Sequence, residues 1–136
     1  MTMTGGCLCG AVRYELSGEP TFVGNCYCAQ CRKESGAGHN TVVAVPDTAA
    51  KISGKTKSYS QAGASGKQVK RNFCPNCGTT VYGKPELMSG TTMFRAGTLD
   101  DSTGLTVTMA IYSAEALPWD QPPAGIPVFA GMPNRE

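Results

Sequence analysis

Val12-Arg13-Tyr14-Glu15-Leu16 alternates apolar and charged residues without a break. That is the period of a strand with one face in a core and the other in water. Working outward, short segments rich in β-branched or aromatic residues recur at 41–45, 56–59, 67–73, 79–82, 91–96 and 105–112, bounded by turns rich in Gly, Pro, Ser or Asp. Helical periodicity is almost absent, and only 29–34 is expected to form a helical turn. The pattern predicts an all-β fold.

The whole chain has 136 residues, 40% of them hydrophobic, which suits one domain over 1–136 with one ordinary core. Charged residues are 16% and the net charge is +2, excluding a disordered polyelectrolyte and a nucleic-acid binder that relies on bulk positive charge. Residues 117–136 hold Pro118, Pro122, Pro123, Pro127 and Pro133 and are expected to wrap the surface as an extended tail, anchored by Trp119 and Phe129. The opening Met1-Thr2-Met3-Thr4-Gly5-Gly6 has no basic stretch followed by an apolar one, and no apolar run approaches the ~18 residues of a membrane span. A cytoplasmic protein without a membrane partner is expected.

Seven cysteines are many for a reducing compartment, so metal ligation or redox chemistry is their leading explanation. Cys74-Pro75-Asn76-Cys77-Gly78 has the form of a zinc knuckle, two thiolates three positions apart on a tight turn that Gly78 closes at positive φ. A closed tetrahedral site needs four ligands, and Cys7-Leu8-Cys9-Gly10 is the natural donor of the second pair, provided that the chain turns there. Cys26, Cys28 and Cys31 remain, and a three-ligand zinc keeps a fourth position for water or substrate. The partition is therefore four plus three, with two zinc ions expected per chain. Two alternatives stand beside it: Cys28 and Cys31 as a redox pair, or His39, the single histidine, as a fourth ligand. A sulfoxide-reductase-like enzyme would need a catalytic cysteine outside the metal sets, and none follows Cys77.

Charge is uneven: residues 48–85 hold seven Lys or Arg and no acid, whereas 86–136 hold six acidic and two basic residues. The basic stretch either solvates a Gly-rich hairpin or, through Lys67, Lys70 and Arg71, steers an anionic small molecule towards a metal centre. Tyr27, Gln30, Arg32 and His39 lie near enough to the triplet in sequence to supply pocket hydrogen bonds. Tyr14, Phe22, Tyr59, Phe73, Tyr82, Phe94, Tyr112 and the methionines read as packing.

Gly6-Cys7-Leu8-Cys9-Gly10-Ala11-Val12-Arg13-Tyr14, Cys26-Tyr27-Cys28-Ala29-Gln30-Cys31-Arg32-Lys33 with Ser35-Gly36, and Phe73-Cys74-Pro75-Asn76-Cys77-Gly78-Thr79 together resemble the glutathione-dependent formaldehyde-activating enzyme and centromere protein V family. Ala96-Gly97-Thr98-Leu99-Asp100-Asp101 and 111–119 extend the likeness nearly end to end. The resemblance implies coiled antiparallel β-sheets, a structural zinc on Cys7, Cys9, Cys74 and Cys77, and a catalytic zinc on Cys26, Cys28 and Cys31. It also implies carbon-sulfur lyase chemistry on S-hydroxymethylglutathione, the adduct of glutathione and formaldehyde. Arg32, Lys33, Lys70 and Arg71 are then candidates for pairing the glutathione carboxylates, and His39 for lining the pocket. A non-catalytic zinc-binding interaction module and a thiol or metal sensor are the competing readings. At 7% aromatic content, with basic residues scattered rather than interleaved with aromatics, the sequence argues against a nucleic-acid partner.

Overall fold

The computed structural model describes residues 2–63 and 65–133. Two sheets carry the fold. Strand β1 (Thr2–Gly6) pairs antiparallel with β2 (Arg13–Ser17), and β2 with β5 (Ala50–Ser53). The larger sheet contains β3 (Phe22–Cys26), β4 (Asn40–Pro46), β6 (Lys57–Ala62), β7 (Gln68–Phe73), β8 (Thr80–Pro85), β9 (Thr91–Arg95) and β10 (Met109–Ile111), in the order β10-β3-β4-β9-β8-β7-β6. All its pairings are antiparallel except β10 on β3. One short helix, α1 (Ala29–Ser35), interrupts the run between β3 and β4.

The alternation of 12–16 is realised in β2, where Tyr14 and Leu16 are buried and Arg13, Glu15 and Ser17 are exposed. Its apolar face meets the larger sheet, and Val12, Tyr14 and Leu16 share a core with Val23, Val43, Val45, Val81, Tyr82, Phe94 and Leu99. Tyr14 packs on Phe94 at 4.4 Å between ring centroids, and Tyr82 on Phe94 at 5.5 Å. Val42 to Val45 of β4 are all buried. Val43 and Val45 face the core, while Val42 on the opposite face walls the cavity described below. A strand covered on both faces reads as a continuous apolar run for this reason.

Three strands have no counterpart in the sequence reading. β1 is Thr-Met-Thr-Gly-Gly, poor in β-formers, and owes its strand state to pairing with β2 and to a bridge from Gly5 to Leu99. β3 and β5 are likewise defined by their neighbours. Conversely, the strand expected over 105–112 shrinks to Met109–Ile111. Leu105 closes a turn onto the Ser102 carbonyl, and Leu105 and Val107 pack on the core without a strand partner. Past β10 the chain turns at Ser113–Glu115 and returns so that Val128 bridges Ala110 in parallel, with the Phe129 N–H donating to the Ala110 carbonyl at 2.9 Å. The last three residues of the expected 117–136 tail lie outside the described residues.

Candidate active site

Cys7 opens a turn that contains Cys9 and ends at Gly10, whose φ of 84° belongs to the left-handed region, and whose N–H donates to the Cys7 carbonyl at 3.2 Å. The turn supplies what a flat strand withholds, two thiols of i, i+2 spacing directed to one point. The partner turn joins β7 to β8, with the Gly78 N–H on the Cys74 carbonyl at 2.8 Å and the Cys77 N–H on Cys74 Sγ at 3.5 Å. The four sulfurs of Cys7, Cys9, Cys74 and Cys77 lie within 4.8 Å of one another. Cys7 Sγ to Cys9 Sγ and Cys9 Sγ to Cys74 Sγ are both 3.7 Å. A tetrahedron with Zn–S near 2.3 Å has S···S edges of about 3.8 Å, so the donor set fits zinc. Hydrogen bonds from the Thr79 hydroxyl and backbone N–H bring the Cys77 thiol down to about 5, towards the thiolate that a metal needs.

The triplet is built by a strand-to-helix transition. β3 ends at Cys26, Cys28 caps α1 with its sulfur accepting from the Cys31 N–H at 3.4 Å, and Cys31 faces inward from the helix. Their sulfurs also lie within 4.8 Å of one another, and the three residues are only 7–9% exposed. Cys28 is held well below the ordinary thiol range by hydrogen bonds from the Cys26 and Cys31 thiols. Cys26 is raised, first by donating to Cys28 and Cys31 and then by burial. One thiolate thus forms readily, in a donor set whose soft sulfur character again fits zinc.

These sulfurs open onto a cavity of about 90 Å³. Its walls are mostly apolar, with Val42, Met88, Met93 and Ile111, and its polar groups include Gln30, Arg71 and Arg95. Both arginines are held by Glu34: Arg95 Nε donates to Oε1 at 2.8 Å, and Arg71 Nε lies 2.9 Å from Oε2 as an ion contact. Asn40 Nδ2 donates to the same Oε1 at 2.6 Å, and Arg71 Nη1 to Gln30 Oε1 at 2.8 Å. One buried carboxylate therefore joins α1, β4, β7 and β9 beside the triplet.

Of the basic residues expected to meet substrate, Arg71 lines this cavity, whereas Arg32, Lys33 and Lys70 do not. Lys70 precedes Arg71 on β7 and so projects from the opposite face of the sheet. On α1, positions 30, 31 and 34 share the inward side, which leaves 32 and 33 turned away. His39 lies elsewhere too: its Nδ1 is 2.5 Å from Asp120 Oδ2, and its ring stacks on Tyr27 at 4.9 Å. His39 is not on the wall of the triplet cavity and lines a separate hollow with Ser35, Asn40 and Thr41. The metal-ligand cluster of the triplet cavity comprises the three cysteines alone among the described residues.

Glu34 and Arg95 were not singled out by the sequence, since a Glu on a short helix and an Arg at a strand end carry no local mark of burial. Tyr112, read as packing, also lines the cavity and packs against the triplet. Its φ of 55° is the one positive value at a non-glycine among the described residues, and burial together with the Cys26 and Cys28 charges raises its phenol.

Residues 2–115 match the family model described as glutathione-dependent formaldehyde-activating enzyme. Over 87 residues the chain is 32% identical to a curated Halomonas elongata protein that bears, provisionally, the name of a glutathione-dependent formaldehyde-activating enzyme. That match covers 60% of this chain and 55% of the relative, so the chain spans about half the length of the curated relative it matches. A crystal structure of a Rhodobacter sphaeroides protein is similar with a TM-score of 0.58 at 21% identity, over 72% of this chain and 88% of that one, a likeness of fold alone. With cysteines gathered into two metal-compatible clusters and the family model spanning all seven, the chain belongs to the glutathione-dependent formaldehyde-activating enzyme family.

Proposed function

We propose that the protein is a zinc-dependent carbon-sulfur lyase acting on the glutathione adduct of a small aldehyde, S-hydroxymethylglutathione in the first instance. The observation that carries this reading is the asymmetry of the two clusters: four sulfurs close one, three line the wall of a cavity in the other. The quartet would hold a structural zinc and Cys26, Cys28 and Cys31 a reactive one. When bound there, zinc supplies a positive centre that lowers the pKa of an incoming thiol.

In the synthetic direction the S–C bond forms, the carbonyl π pair moves to oxygen, and the thiol proton ends on that oxygen; cleavage is the reverse. Neither direction needs an oxidant or reductant. The chain's own contribution is placement and desolvation. Val42, Met88, Met93 and Ile111 keep the reacting atoms away from bulk water, which strengthens every charge interaction there. The cavity is below the ~300 Å³ of a usual ligand site, so it admits a thiol head and a small carbonyl while the peptide part of glutathione stays at the mouth, beside Lys67 and Gln68.

The test is magnetisation exchange by NMR between glutathione with formaldehyde and S-hydroxymethylglutathione, with zinc-replete protein and with Cys28→Ser. Serine remains a good helix cap at this position, so the variant is expected to fold. Wild type should accelerate exchange and Cys28→Ser should lose about 100-fold or more. A folded Cys28→Ser with unchanged exchange overturns the mechanism. The sensor reading requires rapid alkylation of the triplet in native protein, which burial of all three residues opposes.

A further inference from the structure

We propose that Arg71 and Arg95 form a carboxylate subsite on the wall of the triplet cavity, and that a reactant there is a short monocarboxylate whose reacting atom lies one or two bonds from that group. The proposal rests on the triplet being the reaction centre and adds the class of molecule it receives.

Charge is the first argument. The two guanidinium groups face a single carboxylate, Glu34, with the three side chains 10–12% exposed, and apart from the sulfurs the cavity wall carries Lys67, Arg71 and Arg95 and no acidic side chain among the described residues. An anionic group is favoured there over a neutral one of the same size. Geometry is the second. Glu34 accepts from Arg95 Nε and makes an ion contact with Arg71 Nε, Gln30 accepts from Arg71 Nη1, and the Met93 carbonyl accepts from Arg95 Nη1 at 3.4 Å. The Nη2 group of each has no hydrogen-bond partner among the described residues, although both side chains line the cavity. Two planar guanidinium groups with spare N–H donors suit a carboxylate better than a diffuse anion. Size is the third: a molecule touching both the sulfurs and the arginines within about 90 Å³ spans only a few bonds.

The carboxylate can belong to either partner of the reaction. On the carbonyl partner, a thiol adds to a 2-oxo acid: the S–C bond forms, the carbonyl π pair becomes the alkoxide pair, the thiol proton joins it, and the carboxylate is unchanged. On the thiol partner, the same step runs from a short mercapto acid.

Isothermal titration of zinc-replete protein tests both sources with matched pairs, glyoxylate against glycolaldehyde and mercaptoacetate against 2-mercaptoethanol. The acid of at least one pair should bind tenfold or more tighter than its neutral counterpart, and the pair that shows this identifies the source. Arg95→Gln should reduce the advantage to about twofold or less, and the double variant Glu34→Gln/Arg95→Gln, which leaves the net charge of the cluster as in wild type, should do the same if the single variant fails to fold. Equal binding of acid and neutral compound in both pairs, or an advantage that survives loss of Arg95 in a folded protein, overturns the subsite. Formaldehyde exchange on the same preparation separates the two claims: exchange without acid preference removes the subsite alone, and acid preference without exchange removes the lyase reading alone.

Discussion

Gly5 sits in β1 opposite Tyr14, and its missing side chain is what lets the sheet close over the core. A Cβ there would lie 2.4 Å from Tyr14 Oη and 2.5 Å from the Thr98 carbonyl oxygen. The Tyr14 hydroxyl, 2.7 Å from Thr98 Oγ1, has little freedom to retreat, and burial raises its phenol to about 12. Gly5→Ala is therefore expected to cost about 1–3 kcal/mol in urea unfolding. Nearby, Asp100 accepts from Thr4 and Arg13, and those hydrogen bonds hold its carboxyl at about 2 against an ordinary 3.8. Because the folded value is the lower, the stabilisation is complete above pH 3.8 and is lost as pH falls through about 2. Asp100→Asn should thus be less stable than wild type by a constant margin near neutrality, and the margin should vanish between about pH 4 and 2 in parallel denaturation curves. Neither the close approach at Gly5 nor the contacts of Asp100 was visible in the sequence, because both depend on residues more than eighty positions away.

At the scale of elements, α1 works as a seven-residue bracket whose inward side carries Gln30, Cys31 and Glu34. Glu34→Ala would leave two nearly buried guanidinium groups without their counter-ion, and a loss of about 3–5 kcal/mol is expected, measured by thermal unfolding of zinc-replete protein. The segment from 117 onward is held differently. Pro127 and Phe129 bond to Ala110 of β10 and Gly131 to Tyr112 just past it, while Asp120 reaches His39 just before β4, close enough that a Cβ on Gly38 would clash with the carboxylate. Asp120→Ala should accelerate limited proteolysis within 117–126 while leaving the unfolding free energy within about 1 kcal/mol of wild type. An unchanged cleavage rate would show that the His39 contact does not hold the segment. The expected helix over 29–34 matches α1 within a residue because its cap and its glycine stop are local. The 105–112 strand shortened because pairing partners, which no local pattern encodes, exist for only three of its residues.

Across the whole molecule the two clusters occupy different places. The quartet ties the β1–β2 turn to the β7–β8 turn and so connects the two sheets, whereas the triplet sits between β3 and α1 within one. Metal analysis of protein purified without added zinc or chelator should give two ions per chain for wild type and one for Cys28→Ser. Cys74→Ser should lose the near-ultraviolet signal of the packed core as well as metal, since Cys74 is fully buried in that core. The charge asymmetry of the sequence also resolves at this scale. Arg71 is taken up by Glu34 and Lys84 by Asp47 at 3.4 Å, so the basic stretch is partly neutralised by acids from other elements.

Local spacing was enough to show the class of fold and the grouping of cysteines, because strand alternation and chelation by neighbouring thiols are properties of a few consecutive residues. The meeting of Cys7 with Cys74 needed arithmetic on the number of ligands, and the two sulfur groups agree with it because the cysteines already come in local sets of two, three and two. Which charged residues stand beside the triplet was decided only by the tertiary structure. Arg71, Arg95 and Glu34 come from three elements, and what distinguishes them from Arg32, Lys33 and Lys70 is the face each occupies once the sheet and helix are packed. Burial and ion pairing depend on distances across the chain, and those distances are set by the closing of the sheets rather than by any neighbour in sequence.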